Sequence, residues 1–138
     1  MPHLSSYRLT PSQLDELGNR VVSAALLIRD RQGLKLFFDD LLTTTEKAML
    51  GKRLLIALFL EQGRSYADIG RILKVGETTI AAVSERLRRG GNGFRLVLKK
   101  IEKQEKIENV LEKISESFQK EWRKLPRQVG RGRWRFLH

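Results

Sequence analysis

"SYADIGRILKVGETTIAAVSERLRR", residues 65–89, is two short amphipathic runs separated by the break "KVG". Ser65 is placed to cap the first run, with Asp68 three residues on in a weaker, Asp version of the capping box. The second run, Glu77 to Arg89, stops on "GGNG" at 90–93. Two short helices joined by a tight turn fit a helix-turn-helix, which needs a small residue at the crossing and apolar residues holding the second helix on the first. Gly70 is at the crossing, and Ile69, Leu73, Val75, Ile80 and Val83 are at the holding positions. Such turns favour glycine where the backbone goes left-handed, and Lys74 departs from that; Gly76, two residues on, is expected to absorb the strain. The plainer alternative is an ordinary three-helix core.

Outward from this stretch the chain reads as all-α. Prolines fall only at 2, 11 and 126, and apolar residues recur every three or four positions. A first helix is expected from Pro11, capped by Thr10 with Gln13 at N3, and ending near Gly33. Its stripe is Leu14, Leu17, Val21, Ala24, Ala25 and Ile28. A short helix follows in "LKLFFDDLL" (34–42). A longer one, near Glu46 to Gln62, is capped by one of the threonines 43–45 and closed by Gly63. Its second half is apolar on nearly all sides, which predicts burial, with a subunit interface as one setting. From Phe94 a single long helix is expected to run to Pro126, with one polar gap in its stripe. The stretches "LTPSQLDELGNR" (9–20) and "LTTTEKAMLGKR" (42–53) echo each other; we read this as recurring cap and core positions rather than duplication.

Composition bounds the chemistry. The chain has 138 residues, 27 Lys plus Arg against 16 Asp plus Glu, and a net charge of +11. That excess favours an anionic partner, nucleic acid first, because each phosphate neutralised releases a counterion. There is no cysteine, and the two histidines, His3 and His138, stand at opposite ends. The usual catalytic triads and zinc sites cannot be assembled from this set, so no enzyme, cofactor or metal is expected. The longest apolar run, "LLIALFL" (54–60), is too short to span a bilayer, which takes about 20 residues. No apolar signal core opens the chain, so a cytoplasmic, nucleoid-associated protein with no membrane partner is expected.

The longer stretch "LTTTEKAMLGKRLLIALFLEQGRSYADIGRILKVGETTIAAVSERL" (42–87) resembles the trp repressor superfamily. The shared pattern is L-T, then E, L-G-x-R, a buried helix ending in G-x-S, I and L in the first motif helix, and T-I followed by S and L in the second. Upstream, "LLIRDRQGLKLFFDDLLT" (26–43) looks like the lead-in of trp-repressor-like proteins of unknown effector. The resemblance implies a trp-repressor-like helical domain that forms an intertwined homodimer. Its two reading helices would address half-sites about one DNA turn apart. On this reading residues 1–91 are the helix-turn-helix domain, 92–126 a helical C-terminal arm, and 127–138 a basic tail.

The DNA-binding residues expected are Ser65, Tyr66, Lys74, Glu77, Thr78, Thr79, Ala81, Ala82, Arg86, Arg88 and Arg89. Glu77 either accepts from a cytosine amino group or complements the helix dipole. Thr78, Thr79 and the helix-start N–H groups suit phosphates, and the alanine and threonine methyls suit thymine methyls. The three arginines suit phosphate contacts, or form a solvated basic face. Further contacts are expected from Arg127, Arg131, Arg133, Trp134 and Arg135 of the tail, through minor groove, phosphate or stacking.

The tryptophan-responsive relative clamps its corepressor with two arginines and a glycine. Arg53 matches the first arginine, but Ala82 and Val83 stand at the other two positions. Arg53 is thus the remnant of a clamp, and loss of a charge-assisted bond costs about 1.5–3 kcal/mol. The effector is unknown and is not expected to be tryptophan. The function expected is sequence-specific double-stranded DNA binding in transcription regulation. The alternative is an RNA- or ribosome-associated protein using its basic helices and tail.

Overall fold

The structure, a computed structural model, describes residues 8–116. Among them are seven α-helices and no strand: α1 (Pro11–Leu27), α2 (Arg31–Leu41), α3 (Thr44–Glu61), α4 (Tyr66–Leu73), α5 (Glu77–Arg88), α6 (Asn92–Gln104) and α7 (Ile107–Ser115). The chain divides into two compact units, with the boundary between Leu50 and Gly51, inside α3.

In the first unit, local capping sets the helix starts. Thr10 and Gln13 form the reciprocal capping box: the Gln13 N–H donates to Thr10 Oγ1 at 3.1 Å, and the Thr10 N–H donates to Gln13 Oε1 at 2.9 Å. Thr43 and Glu46 repeat this at the head of α3, at 3.1 and 2.9 Å. The echo between 9–20 and 42–53 therefore begins on the same cap. Backbone and side-chain bonds with Thr43 also hold the Glu46 carboxyl below its ordinary pKa.

α1 stops earlier than the sequence reading has it. Its last helical residue is Leu27, and Gly33 lies in the first turn of α2. The cause is Asp30, whose carboxylate accepts from the Gly33 N–H at 2.8 Å and starts a new helix there. Asp39 of α2 is gripped by Lys35 at 2.6 Å and Lys47 at 2.7 Å. Those two lysines, Lys35 first, draw its carboxyl down to about 2. α1 buries no residue: Leu17 is 56%, Val22 57%, Leu26 74% and Leu27 83% exposed.

The second unit holds the core. Five consecutive residues of α3, Ile56 to Leu60, are buried, so that helix is enclosed on every side. Ile69, Ile72 and Leu73 of α4, Ile80, Val83 and Leu87 of α5, Leu98 of α6 and Leu111 of α7 join them in one cluster. The second half of α3 is thus enclosed by its own chain, with no partner required.

The single helix expected from Phe94 is two helices. α6 ends at Gln104, Glu105 is extended (φ −160°, ψ 163°), and α7 restarts at Ile107. The break falls in the polar gap "EKQEK" (102–106), which offers no apolar side chain to a continuing stripe. Beyond the break Leu111 reaches the core and is 2% exposed, while Lys113 pairs with Glu105 at 3.0 Å. Expectations for Phe118, Trp122, Pro126 and the tail lie outside the described residues.

Candidate nucleic-acid interface

The start of α4 is set by Ser65, whose Oγ accepts from the Asp68 N–H at 3.2 Å. Just before it, Arg64 is 7% exposed. Burial pushes its guanidinium below the ordinary value, and the charge of Asp68 opposes that shift. Tyr66 is half-buried and packs on the core. Ser65 and Tyr66 therefore serve the scaffold as well as any contact beyond it.

The α4–α5 crossing depends on Gly70. A Cβ there would stand 3.0 Å from the Val75 carbonyl oxygen and 3.8 Å from Ile80 Cδ1. The Gly70 carbonyl accepts from the N–H groups of both Lys74 and Val75, which folds the chain back sharply. Lys74 itself takes the left-handed conformation, φ 55° and ψ 53°. Gly76 does not absorb that strain: its φ is −81°, extended, as the N-cap of α5. The turn therefore carries a non-glycine residue in αL, which for an L side chain costs about 1–2 kcal/mol.

α5 then divides cleanly. Ile80, Val83, Ser84 and Leu87 face the core, while Glu77, Thr78, Thr79, Ala81 and Ala82 are exposed. Gly76 gives no side-chain cap, so the first-turn N–H groups of α5 are not taken by one. A partly positive helix end flanked by two hydroxyls suits a phosphate oxygen. The Ser84 hydroxyl is buried without a hydrogen-bond partner among the described residues.

The basic end of α5 is less free than its sequence suggests. Glu85 accepts from Arg88 at 2.8 Å and from Arg89 at 2.6 Å, one carboxylate oxygen each. Arg86 is exposed and forms no ion pair among the described residues. Glu85 is not among the residues that the sequence pattern singles out, although its i,i+3 and i,i+4 spacing to two arginines is visible there.

Past α5, Gly91 is left-handed at φ 56°, and a Cβ on it would come within 2.9 Å of Leu87 Cα and 3.0 Å of the Arg86 carbonyl oxygen. The tight turn opens a recess of about 650 Å³ lined by Leu54, Arg86, Arg89, the glycine-rich turn, Phe94 and Val97. Lys52 and Arg95, also absent from the sequence reading, reach back to the motif. Lys52 Nζ donates to the Lys74 carbonyl at 3.3 Å, and Arg95 donates to the Leu87 carbonyl. Arg53 is half-buried on α3 and already has an interaction partner. The tail residues Arg127, Arg131, Arg133, Trp134 and Arg135 lie outside the described residues. Among the described residues no helix is long and apolar enough to cross a membrane.

Comparison with known proteins gives this geometry a context. Residues 12–102 match the family described as Trp repressor protein. The chain is also 30% identical over 98 residues to the uncharacterized protein YerC of Bacillus subtilis (strain 168), a span covering 71% of this chain and 90% of that one. No solved structure gives a significant match. The family match begins in α1, takes in the whole of α4 and α5, and ends within α6.

Proposed function

Because the chain belongs to the Trp repressor family, we propose that it is a sequence-specific double-stranded DNA-binding regulator acting as a homodimer. The observation that carries this reading is the α4–α5 crossing at Gly70, which leaves Glu77 to Ala82 exposed on one side of α5. A major groove admits one α-helix, and the N-terminal end of a reading helix is the part that meets base edges. The exposed groups are a carboxylate, two hydroxyls and two methyls, with no Asn, Gln or Arg in the first two turns. Such a surface suits modest direct readout, supplemented by DNA shape and ordered water.

Homodimer formation accords with α1, whose leucines and valines stand exposed in the single chain. Contiguous exposed apolar surface on a soluble protein marks an interaction site. A net charge of +11 suits the phosphate backbone, and the arginines of residues 127–135 add a sequence-independent grip. The protein works in the cytoplasm, as a regulator rather than an enzyme. Tryptophan is not its effector: Ala82 offers no second cation, and Val83, 5% exposed, fills space within the core.

The test is selection from random duplexes with purified protein, followed by footprinting. A palindromic site with half-sites one turn apart supports the reading. Equal binding to single-stranded RNA would favour the RNA-binding alternative instead. Micromolar binding of tryptophan in isothermal titration would remove the effector claim.

A further inference from the structure

We propose that Lys52 and Arg95 are positioning residues that lock the two motif helices from outside, and are not phosphate contacts. Each of these cations meets the carbonyl end of one motif helix. Lys52, on α3, donates to the carbonyl of Lys74, the C-cap of α4, across 22 residues of chain. Arg95, on α6, donates to the carbonyl of Leu87 in the last turn of α5, eight residues back. The last four carbonyls of a helix lack intrahelical partners and carry its partial negative charge. A cation there satisfies an orphan acceptor and complements the dipole together. Neither Lys52 nor Arg95 is in an ion pair among the described residues, so both charges are directed at these carbonyls.

Location makes the two bonds matter for reading. Lys74 is the left-handed residue on which the chain reverses from α4 into α5. Holding its carbonyl fixes the peptide plane that aims α5. At the other end, Arg95 ties the finish of α5 to α6, across the tight turn at Gly91. The helix that precedes the motif thus holds its turn, and the helix that follows holds its finish. Two of the 27 basic residues are then spent on orientation and not on the anionic partner.

This inference rests on the DNA-binding reading only for its consequence; the two bonds have a readout of their own. Lys52→Met and Arg95→Met keep stem length and remove the donor. Amide hydrogen exchange on the free protein should speed up locally, at 74–76 for the first variant and 87–91 for the second. The expected factor is roughly three- to tenfold, as for loss of one ordinary hydrogen bond. Lys52→Arg should keep wild-type exchange. Lys74→Gly added to Lys52→Met should return exchange toward wild type, because glycine takes φ 55° without strain.

Binding to a duplex recovered by selection should then weaken while the slope of affinity against salt stays unchanged. A slope reduced by about 0.9 per residue would overturn the proposal, because it would make these cations phosphate contacts. Unchanged exchange in both variants would overturn it as well. If the wild-type protein recovers no duplex, the DNA reading fails, while the exchange result still decides the role of the two cations.

Discussion

Replacing Glu85 by glutamine should make the protein bind DNA more tightly and more salt-dependently. One carboxylate holds both Arg88 and Arg89, at 2.8 and 2.6 Å. The three side chains are 44–81% exposed, so each pair contributes only about 0.3–0.5 kcal/mol to folding. Folding should therefore change by less than about 1 kcal/mol. The effect on DNA is larger. The substitution removes one negative charge from the face proposed to meet phosphates and releases two guanidinium groups. Each additional phosphate neutralised steepens the slope of log affinity against log salt by about 0.9. Two freed arginines give up to about 1.8 per protomer, or roughly a tenfold greater loss of affinity over a fourfold rise in salt. The assay is fluorescence anisotropy with a random-sequence duplex at several salt concentrations, beside a thermal melt of both proteins. An unchanged slope together with unchanged low-salt affinity would refute the reasoning. The end of α5 would then lie away from the phosphate backbone.

Gly91→Ala should destabilise the fold by about 2–4 kcal/mol in urea denaturation, from left-handed strain plus overpacking on backbone atoms. Gly90→Ala, with nothing within 4 Å and no positive φ, is the control, and equal losses would refute the account of the turn. Because the Asp39 carboxyl is held down to about 2 from an ordinary 3.8, its lysine pairs stabilise the first unit above about pH 4. That contribution should fade as pH drops toward 2. Carbon-13 titration should place the Asp39 midpoint near 2, and Lys35→Met with Lys47→Met should raise it toward 3.8; a wild-type midpoint near 3.8 would contradict the pairing. Thr78→Ala combined with Thr79→Ala should reduce binding to a selected duplex more than to a scrambled one, and equal losses would remove α5 from the reading role.

Local signals in the sequence carried much of this architecture. Thr10 with Gln13, and Ser65 ahead of Tyr66, state helix starts that hold in three dimensions, because a cap needs only residues three apart. Gly70, Ile80 and Val83 likewise identify the crossing, since packed positions in a helical hairpin recur at fixed offsets. The end of α1 is not legible in the sequence, because Asp30 can either continue a polar helix face or cap a new one. Sequence periodicity does not separate those outcomes. The break at Glu105 was visible as a polar gap, but its result, a return to the core, depends on contacts far apart in the chain. Lys74 departs from local rules in another way: glycine is the residue favoured for a left-handed turn, and here a lysine held from α3 takes it. Lys52 lies 22 residues from the carbonyl that it meets, and no local pattern announces such a bond.

Leu111 bears on where this protein can be shortened. The family match ends at residue 102, and a version trimmed there keeps the whole matched span. It would lack α7 and so expose the site that Leu111 fills among Leu98 and its neighbours. Losing one fully buried leucine removes about 1.5–3 kcal/mol from a stability that for most small domains is only about 5–15 kcal/mol. A trimmed protein that melts early or precipitates would therefore say nothing against DNA binding. For this chain, the family match ends before the residues that complete the core.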